Sequence, residues 1–140
     1  MCSVYTAELF AIVKALQHIK QRTETAFMIC TDSLSSLQAI SCLYPTDSLV
    51  QEVQNVLTSL TLLGTRVVFC WVPGHAGIPG NEMADQAAKQ ATSKDTIDLN
   101  KVPYGDLKAH LKHLVKARWQ SDWDNEVDNK LQPIKPSIGP

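Results

Sequence analysis

Residues Trp71–Ala91 read WVPGHAGIPGNEMADQAAKQA, and they are the most informative segment for the fold of this chain. It begins at the end of an apolar run, Arg66–Val72, which suits a central parallel strand covered on both faces. A loop rich in glycine and proline follows at Pro73–Gly80, and Asn81 is a good N-cap for a helix that runs to about Thr92. A buried strand that leads through a loop into a helix predicts an α/β architecture.

Upstream, the sequence shows a similar alternation of elements. Apolar residues at helical spacing predict an amphipathic helix over residues 6–22, with Ser3 or Thr6 as its cap. The apolar stretch Ala26–Thr31 predicts a short buried strand, and Asp32 follows directly at its carboxyl end.

Two helices are predicted between this strand and the next. The first covers residues 33–44 and stops before a proline, because the residue that precedes proline avoids the helical region. The second begins after a cap at Thr46 or Asp47 and runs to about Leu63, where Gly64 is suited to end it. Two parallel strands side by side would then bring Asp32 to the same sheet edge as the loop after the second strand.

The downstream third of the chain has a different character. Ser93–Val102 is polar and predicts a linker, and Pro103 opens a long helix to about Asn129. We therefore divide the chain into a domain at residues 1–93 and a region at residues 94–140 with the linker, the long helix and a proline-rich tail.

Composition sets limits on the function. The 140 residues are 44% hydrophobic and 19% charged with a net charge of −1, which excludes disorder and a uniformly basic nucleic-acid coat but not a local basic patch. No apolar run approaches the roughly 18 residues that span a bilayer, and no secretory signal is evident. We expect an intracellular, non-membrane protein, in nucleus or cytoplasm, whose four cysteines are free thiols.

Three carboxylates stand out by their positions in these elements: Glu8 at the open end of an apolar helix face, Asp32 at a strand end, and Asp85 about one turn into a helix. Together they suggest a site for a hard divalent cation, because Mg²⁺ prefers oxygen ligands. Taken singly, each has an ordinary structural explanation. Glu8 and Asp85 suit the positive end of a helix, and Asp32 suits a helix cap.

Three motifs, in order and spacing, resemble the type 1 ribonuclease H family. They are SVYTAELFA at Ser3–Ala11, CTDSLSSL at Cys30–Leu37, and the quoted Trp71–Ala91 stretch with its Pro-Gly-His, Gly-Asn-Glu and Ala-Asp groups. The resemblance covers roughly residues 3–92. It implies an α/β, ribonuclease H-like fold in which two parallel strands with flanking helices remain and the first three strands of the mixed sheet are missing.

The resemblance also implies an activity. Such enzymes are endonucleases that hydrolyse the RNA strand of RNA:DNA hybrids with two Mg²⁺ ions, for which Mn²⁺ substitutes. Glu8, Asp32 and Asp85 match metal ligands and catalytic residues, and His75 matches a loop histidine that assists proton transfer or product release. Polar residues beside the acids are candidate nucleic-acid contacts. They are Thr6, Ser33 and Asn81.

One family ligand has no counterpart here. The family's first metal-binding aspartate lies on a strand before the glutamate helix, and this chain has only seven residues before Glu8. We therefore expect an N-terminally truncated domain with negligible catalysis by itself. Two alternatives stay open: a catalytically dead remnant that retains only nucleic-acid binding, and complementation by a separate chain at the open edge of Ala26–Thr31.

The tail carries a second, shorter resemblance. A helix with Trp119 and Trp123 that runs into IKPSIGP at Ile134–Pro140 is similar to the region after this domain in non-LTR retrotransposon polyproteins. That resemblance implies an upstream reverse transcriptase domain of the parent polyprotein as a partner.

The long helix also places Lys108, Lys112 and Lys116 on one face, at a spacing of four. This pattern is compatible with contact to a phosphate backbone, but a solvated helix face is favoured because an acidic run, Asp122–Asp128, follows. For the two tryptophans, packing is favoured over base stacking.

Overall fold

The structure is a computed structural model that describes residues 3–91, 102–126 and 128–137. The chain forms two compact units, Cys2–Pro103 and Tyr104–Pro140. Much of the predicted linker, Ser93–Val102, lies outside the described residues. The proposed division at residue 93 stays a prediction.

The first unit has a hydrophobic core between two of its helices. Helix α1, Val4–Ile19, begins at Ser3, whose side chain accepts a hydrogen bond from the Thr6 amide and so confirms Ser3 as the cap. Helix α3, Ser48–Leu62, packs against α1. Within the described ranges, the apolar stripes of the two helices supply the buried hydrophobic residues of the core. They are Leu9, Ile12, Val13, Leu16, Ile19, Leu49, Val50, Val53 and Leu60.

Two parallel strands form the sheet. Strand β1 is Ala26–Thr31 as predicted, strand β2 is Arg66–Trp71, and Cys30 stands opposite Cys70 in the register. One face of the sheet packs on the helical core, while Met28 and Val68 on the other face are 66% and 45% exposed. The prediction that β2 is a central strand covered on both faces is therefore wrong for the described residues, in which each strand has a single neighbour. The α/β class itself is confirmed.

Helix α2 is shorter than predicted, covering Leu34–Ile40 rather than residues 33–44. The reason is a contact from a distant residue. The Gln54 side chain of α3 donates hydrogen bonds to the carbonyl groups of Ile40 and Cys42, at 2.9 and 2.8 Å. Carbonyls satisfied in this way no longer need a further helical turn.

The end signals of α3 are confirmed. The Asp47 carboxylate accepts a hydrogen bond from the Leu49 amide at 2.8 Å, which makes Asp47 the cap. Gly64 takes a φ of +79°, a left-handed conformation that glycine adopts without steric cost, and the chain turns there into β2.

Helix α4, Pro79–Ala91, begins two residues before the predicted cap. Proline suits this first position because its missing N–H has no helical partner there. Asn81 is consequently the third residue of the helix and not its N-cap, and its side chain is free for another contact.

The second unit contains helix α5, Tyr104–Asn125, which has no buried residue. It ends four residues before the predicted Asn129. The chain then turns back so that the Trp123 indole N–H donates to the Lys135 carbonyl at 3.1 Å and the Gln120 amide donates to the Pro136 carbonyl at 2.9 Å. In the described part of the chain, no helix has the length and apolar character needed to cross a membrane.

Candidate functional site

The carboxyl ends of the two strands meet at one edge of the sheet. Thr31 of β1 is in register with Trp71 of β2, and the Val72 amide donates to the Thr31 carbonyl at 3.0 Å. The Trp71 indole N–H reaches across the edge to the Asp32 carbonyl at 3.1 Å. The expected meeting of Asp32 with the loop after β2 is therefore observed.

Three elements contribute carboxylates to one groove at this edge. Glu8 comes from α1, Asp32 from the end of β1 and Asp85 from α4, and they line a cavity of about 310 Å³ together with Asn81. The remaining lining of the groove is largely small and apolar. It includes Ala7, Ala11, Ala15, Ala84 and Ala88. The acids are thus separated in sequence but share one cavity.

Asn81 orients one of these acids. Its side-chain amide donates a hydrogen bond to Oδ2 of Asp32 at 3.2 Å. The start of α4 at Pro79 brings Asn81 to this position. In the structure, the candidate nucleic-acid residue Asn81 supports a carboxylate directly.

His75 approaches a second acid from the loop after β2. Its Nδ1 lies 3.3 Å from Oδ2 of Asp85, although the imidazole is 78% exposed. The backbone of His75 has a φ of +54°, an uncommon conformation for a residue with a side chain. This conformation belongs to the turn that places the imidazole beside Asp85.

The third acid, Glu8, has a raised pKa. Burial of its carboxyl group is the largest cause, and the negative charges of Asp32 and then Asp85 add to it. A carboxylate held near two others is stabilised when a cation enters between them. The pKa of Glu8 therefore depends on the charges of both other acids in the groove.

The donor set fits a hard divalent cation. Oδ2 of Asp85 is buried without a hydrogen bond of good geometry, His75 being its nearby partner. Among the described residues, no lysine or arginine forms an ion pair with Glu8, Asp32 or Asp85. Several carboxylate oxygens without a protein cation are what Mg²⁺ and Mn²⁺ bind.

Glu82 was not among the site residues predicted from the sequence. In the structure, the possible ligand atoms of His75, Glu82 and Asp85 all lie within 4.8 Å of one another. The signal was present in the sequence, because residues three apart on a helix share a face. Glu82 thus lies close to His75 and Asp85 but does not line the groove.

The other two candidate nucleic-acid residues serve local structure. Thr6 is 2% exposed, and its hydroxyl accepts a hydrogen bond from Ser3 at 2.9 Å, so it has little surface to offer a ligand. The Ser33 hydroxyl lies 2.7 Å from that of Ser36, and the Ser33 amide donates to the Thr31 hydroxyl at 3.2 Å. Ser33 is half-buried beside Asp32 and keeps some accessible surface.

Comparison with known protein families places most of the chain in one of them. The sequence model of the family described as RNase H matches residues 2–93, which is more than half of the chain. The matched range contains α1, the sheet, α4 and every carboxylate of the groove. The search of solved structures found no match.

Proposed function

The chain belongs to the RNase H family, and on that basis we propose that its groove hydrolyses the RNA strand of RNA:DNA hybrids. Members of this family are hydrolases that act on such hybrids and use divalent metal ions. The proposal names particular residues because of one observation. Glu8, Asp32 and Asp85 come from three different elements and line one groove. Among the described residues, none of them pairs with a lysine or arginine.

We propose that these three carboxylates hold Mg²⁺, or Mn²⁺ in its place, and that the intact site takes two such ions. When bound, the ions supply positive charge that stabilises the phosphate in the transition state and makes water a better nucleophile. The chain's own contribution is the position of the ligands. Asn81 holds Asp32 through its amide, while Asp32 directly follows β1 and Asp85 lies within α4.

His75 is proposed to move a proton. Because Nδ1 faces the Asp85 carboxylate at 3.3 Å, the other ring nitrogen, Nε2, is the atom proposed to accept or donate the proton. The exposure of the ring suits a group that meets substrate or product in solvent. Recognition of RNA is proposed to depend on its 2′-hydroxyl groups and backbone rather than on base identity.

We further propose that these 140 residues alone have negligible catalytic activity. They supply three groove carboxylates, whereas the family resemblance implies a fourth that bridges both ions. A catalytically dead remnant that binds hybrid without cleaving it is the second candidate function. The Trp119–Trp123 helix and the residues after it support an origin in a non-LTR retrotransposon polyprotein, with its reverse transcriptase domain as partner.

The test is a single-turnover cleavage assay. End-labelled RNA:DNA hybrid, RNA duplex and DNA duplex are incubated with excess protein in Mg²⁺, in Mn²⁺ and in EDTA, and Asp32→Asn is run beside the unmodified chain. We expect at most trace cleavage, which is confined to the RNA of the hybrid, requires the cation and disappears in the variant. Cleavage that persists in Asp32→Asn would overturn the assignment of the site. Binding of hybrid with no cleavage at any cation concentration would select the dead remnant.

A further inference from the structure

A basic strip lies on α5, outside the groove. Lys108, Lys112 and Lys116 follow one another at a spacing of four residues and share one face of the helix. Four residues of helix rise about 6 Å, a distance comparable to the step between successive phosphates of an extended strand. We call these three residues the lysine strip.

The strip carries no compensating charge in the structure. The ion pair found on the described part of α5 joins Arg118 to Asp122 at 3.1 Å, and none of the three lysines takes part in an ion pair there. Lys108 instead lies over the ring of Tyr104, with its ammonium nitrogen 6.0 Å from the ring centroid. The three ammonium groups are therefore available to an anionic partner.

Aromatic residues flank the strip on the same face. Trp119 is three residues after Lys116, so it shares that face, and it is 62% exposed. Trp123 is different because its indole N–H is occupied by the Lys135 carbonyl and it is half-buried. Trp119 is thus a free flat surface beside a row of positive charges, which is the combination that binds unpaired bases together with their phosphates.

The charged residues near the lysine strip argue against a membrane surface as its partner. A helix that lies in a membrane interface needs a continuous apolar face. On α5, the charged pair Arg118 and Asp122 lies among Leu114, Val115 and Trp119, which interrupts that face. Beyond it, the acidic residues of 122–128 repel any polyanion, so the binding surface ends near Trp119.

We infer that the lysine strip and Trp119 form a binding site for single-stranded nucleic acid, with phosphates on the three ammonium groups and an unpaired base stacked on the indole. The inference rests on the proposed function for its choice of nucleic acid as the partner. It adds a contact for an unpaired strand on the second unit. It needs neither a divalent cation nor the groove carboxylates.

The experiment measures the anisotropy of a fluorescein-labelled single-stranded oligonucleotide with the full chain in EDTA, at several salt concentrations. The test variant is K108Q/K112Q/K116Q, and the matched control K20Q/K130Q/K135Q makes the same charge change at exposed lysines elsewhere. In the unmodified chain, binding of three phosphates would release counterions, so log affinity falls with log salt concentration. The slope of this plot should be smaller in magnitude by about 2 in the test variant. At about 0.1 M salt, the variant should therefore bind roughly 100-fold more weakly. The control is expected to stay within about 3-fold of the unmodified chain.

A second measurement tests the stacking. Trp119→Ala should weaken binding roughly 5-fold or more, while Trp119→Phe, which keeps a ring, should lose less. Equal losses in the strip variant and in the lysine control would overturn the inference, as would no binding by the unmodified chain. Binding to anionic phospholipid vesicles without binding to the oligonucleotide would also overturn it.

The two proposals can fail separately. Asp32→Asn should abolish hybrid cleavage and leave oligonucleotide binding in EDTA unchanged. The strip variant should lose oligonucleotide binding while its groove still binds cation. If the chain binds the oligonucleotide but never cleaves hybrid, this inference stands and hydrolysis is overturned as the function.

Discussion

The Asp32 carboxylate lies directly against the backbone of Gly74. A β-carbon at position 74 would lie 2.8 Å from Oδ2 of Asp32, closer than two such atoms approach in proteins. The same oxygen accepts the hydrogen bond from Asn81. Glycine at this loop position is therefore required by the space that a metal-ligand candidate occupies, and its φ is not in the left-handed region.

Gly74→Ala should damage the site more than the fold. The new methyl group pushes the end of the Asp32 side chain away from Asn81, and we expect the cation affinity to fall about 10- to 100-fold, as for loss of a supporting contact to a ligand. Titration calorimetry with Mn²⁺ measures this. The control is Gly80→Ala, because a β-carbon there meets no atom within 4 Å and alanine favours the helix. An equal loss of affinity in both variants would contradict the steric argument.

Asn81→Asp should separate orientation from charge. A carboxylate at this position repels Asp32 across about 3 Å, so we expect the melting temperature in EDTA to fall by several degrees, given that about 1 kcal/mol corresponds to roughly 4–8 °C in a small domain. Added Mn²⁺ should restore more stability than it adds to the unmodified chain. Asn81→Ala removes the hydrogen bond without adding charge. Its melting temperature should therefore rise less on addition of Mn²⁺ than that of Asn81→Asp. Differential scanning fluorimetry distinguishes the two results.

Glu82→Gln should weaken binding of Mn²⁺ if Glu82 shares an ion with His75 and Asp85. Removal of one carboxylate ligand is expected to lower the affinity about 10-fold, with a smaller effect on Mg²⁺, because imidazole and carboxylate together suit Mn²⁺ better. Glu24→Gln is the control because it removes the same charge from an exposed turn. Unchanged Mn²⁺ affinity in Glu82→Gln would limit the ligands to the three acids of the groove.

Local signals predicted those elements whose ends are set by neighbouring residues. Ser3 begins α1, Asp47 begins α3, and Gly64 ends α3, each within a residue or two of the expected position. The end of α2 could not be predicted in this way. The Gln54 side chain that satisfies its carbonyls is 14 residues from Ile40, and local periodicity contains no information about that contact.

The site was predictable at the level of topology. Parallel strands oblige Asp32 and the loop after β2 to share an edge, and the motif order placed Glu8 and Asp85 with them. The supporting contacts depend on where α4 begins. Because Pro79 rather than Asn81 starts the helix, Asn81 reaches Asp32 and Glu82 lies near His75, which a cap at Asn81 would not have indicated.

Leu16→Ala tests the core that holds the groove together. Leu16 has no exposed surface and belongs to the cluster between α1 and α3, so its truncation should leave a cavity and cost about 2–5 kcal/mol of unfolding free energy. Leu62→Ala is the matched control because Leu62 is 83% exposed at the end of α3. Urea denaturation should show a loss in Leu16→Ala alone. Similar losses in both variants would mean that the α1–α3 contact does not dominate stability.

The raised pKa of Glu8 makes stability depend on pH. Burial first, and then the charges of Asp32 and Asp85, favour the protonated form in the folded chain. The contribution of Glu8 is therefore fully present below the ordinary carboxyl pKa and is lost as pH rises through the raised value. Without divalent cation, the free energy of unfolding should fall across that interval.

Glu8→Gln should remove this dependence, because glutamine keeps the shape and cannot lose a proton. In EDTA at neutral pH the variant should melt at a higher temperature than the unmodified chain, whereas Glu24→Gln should not. In saturating Mg²⁺ the order should reverse, since the cation stabilises three carboxylates better than two. The measurement is the melting temperature of the three proteins at several pH values, with and without Mg²⁺. A variant that stays less stable in EDTA would show that the three acids do not repel one another in the folded chain.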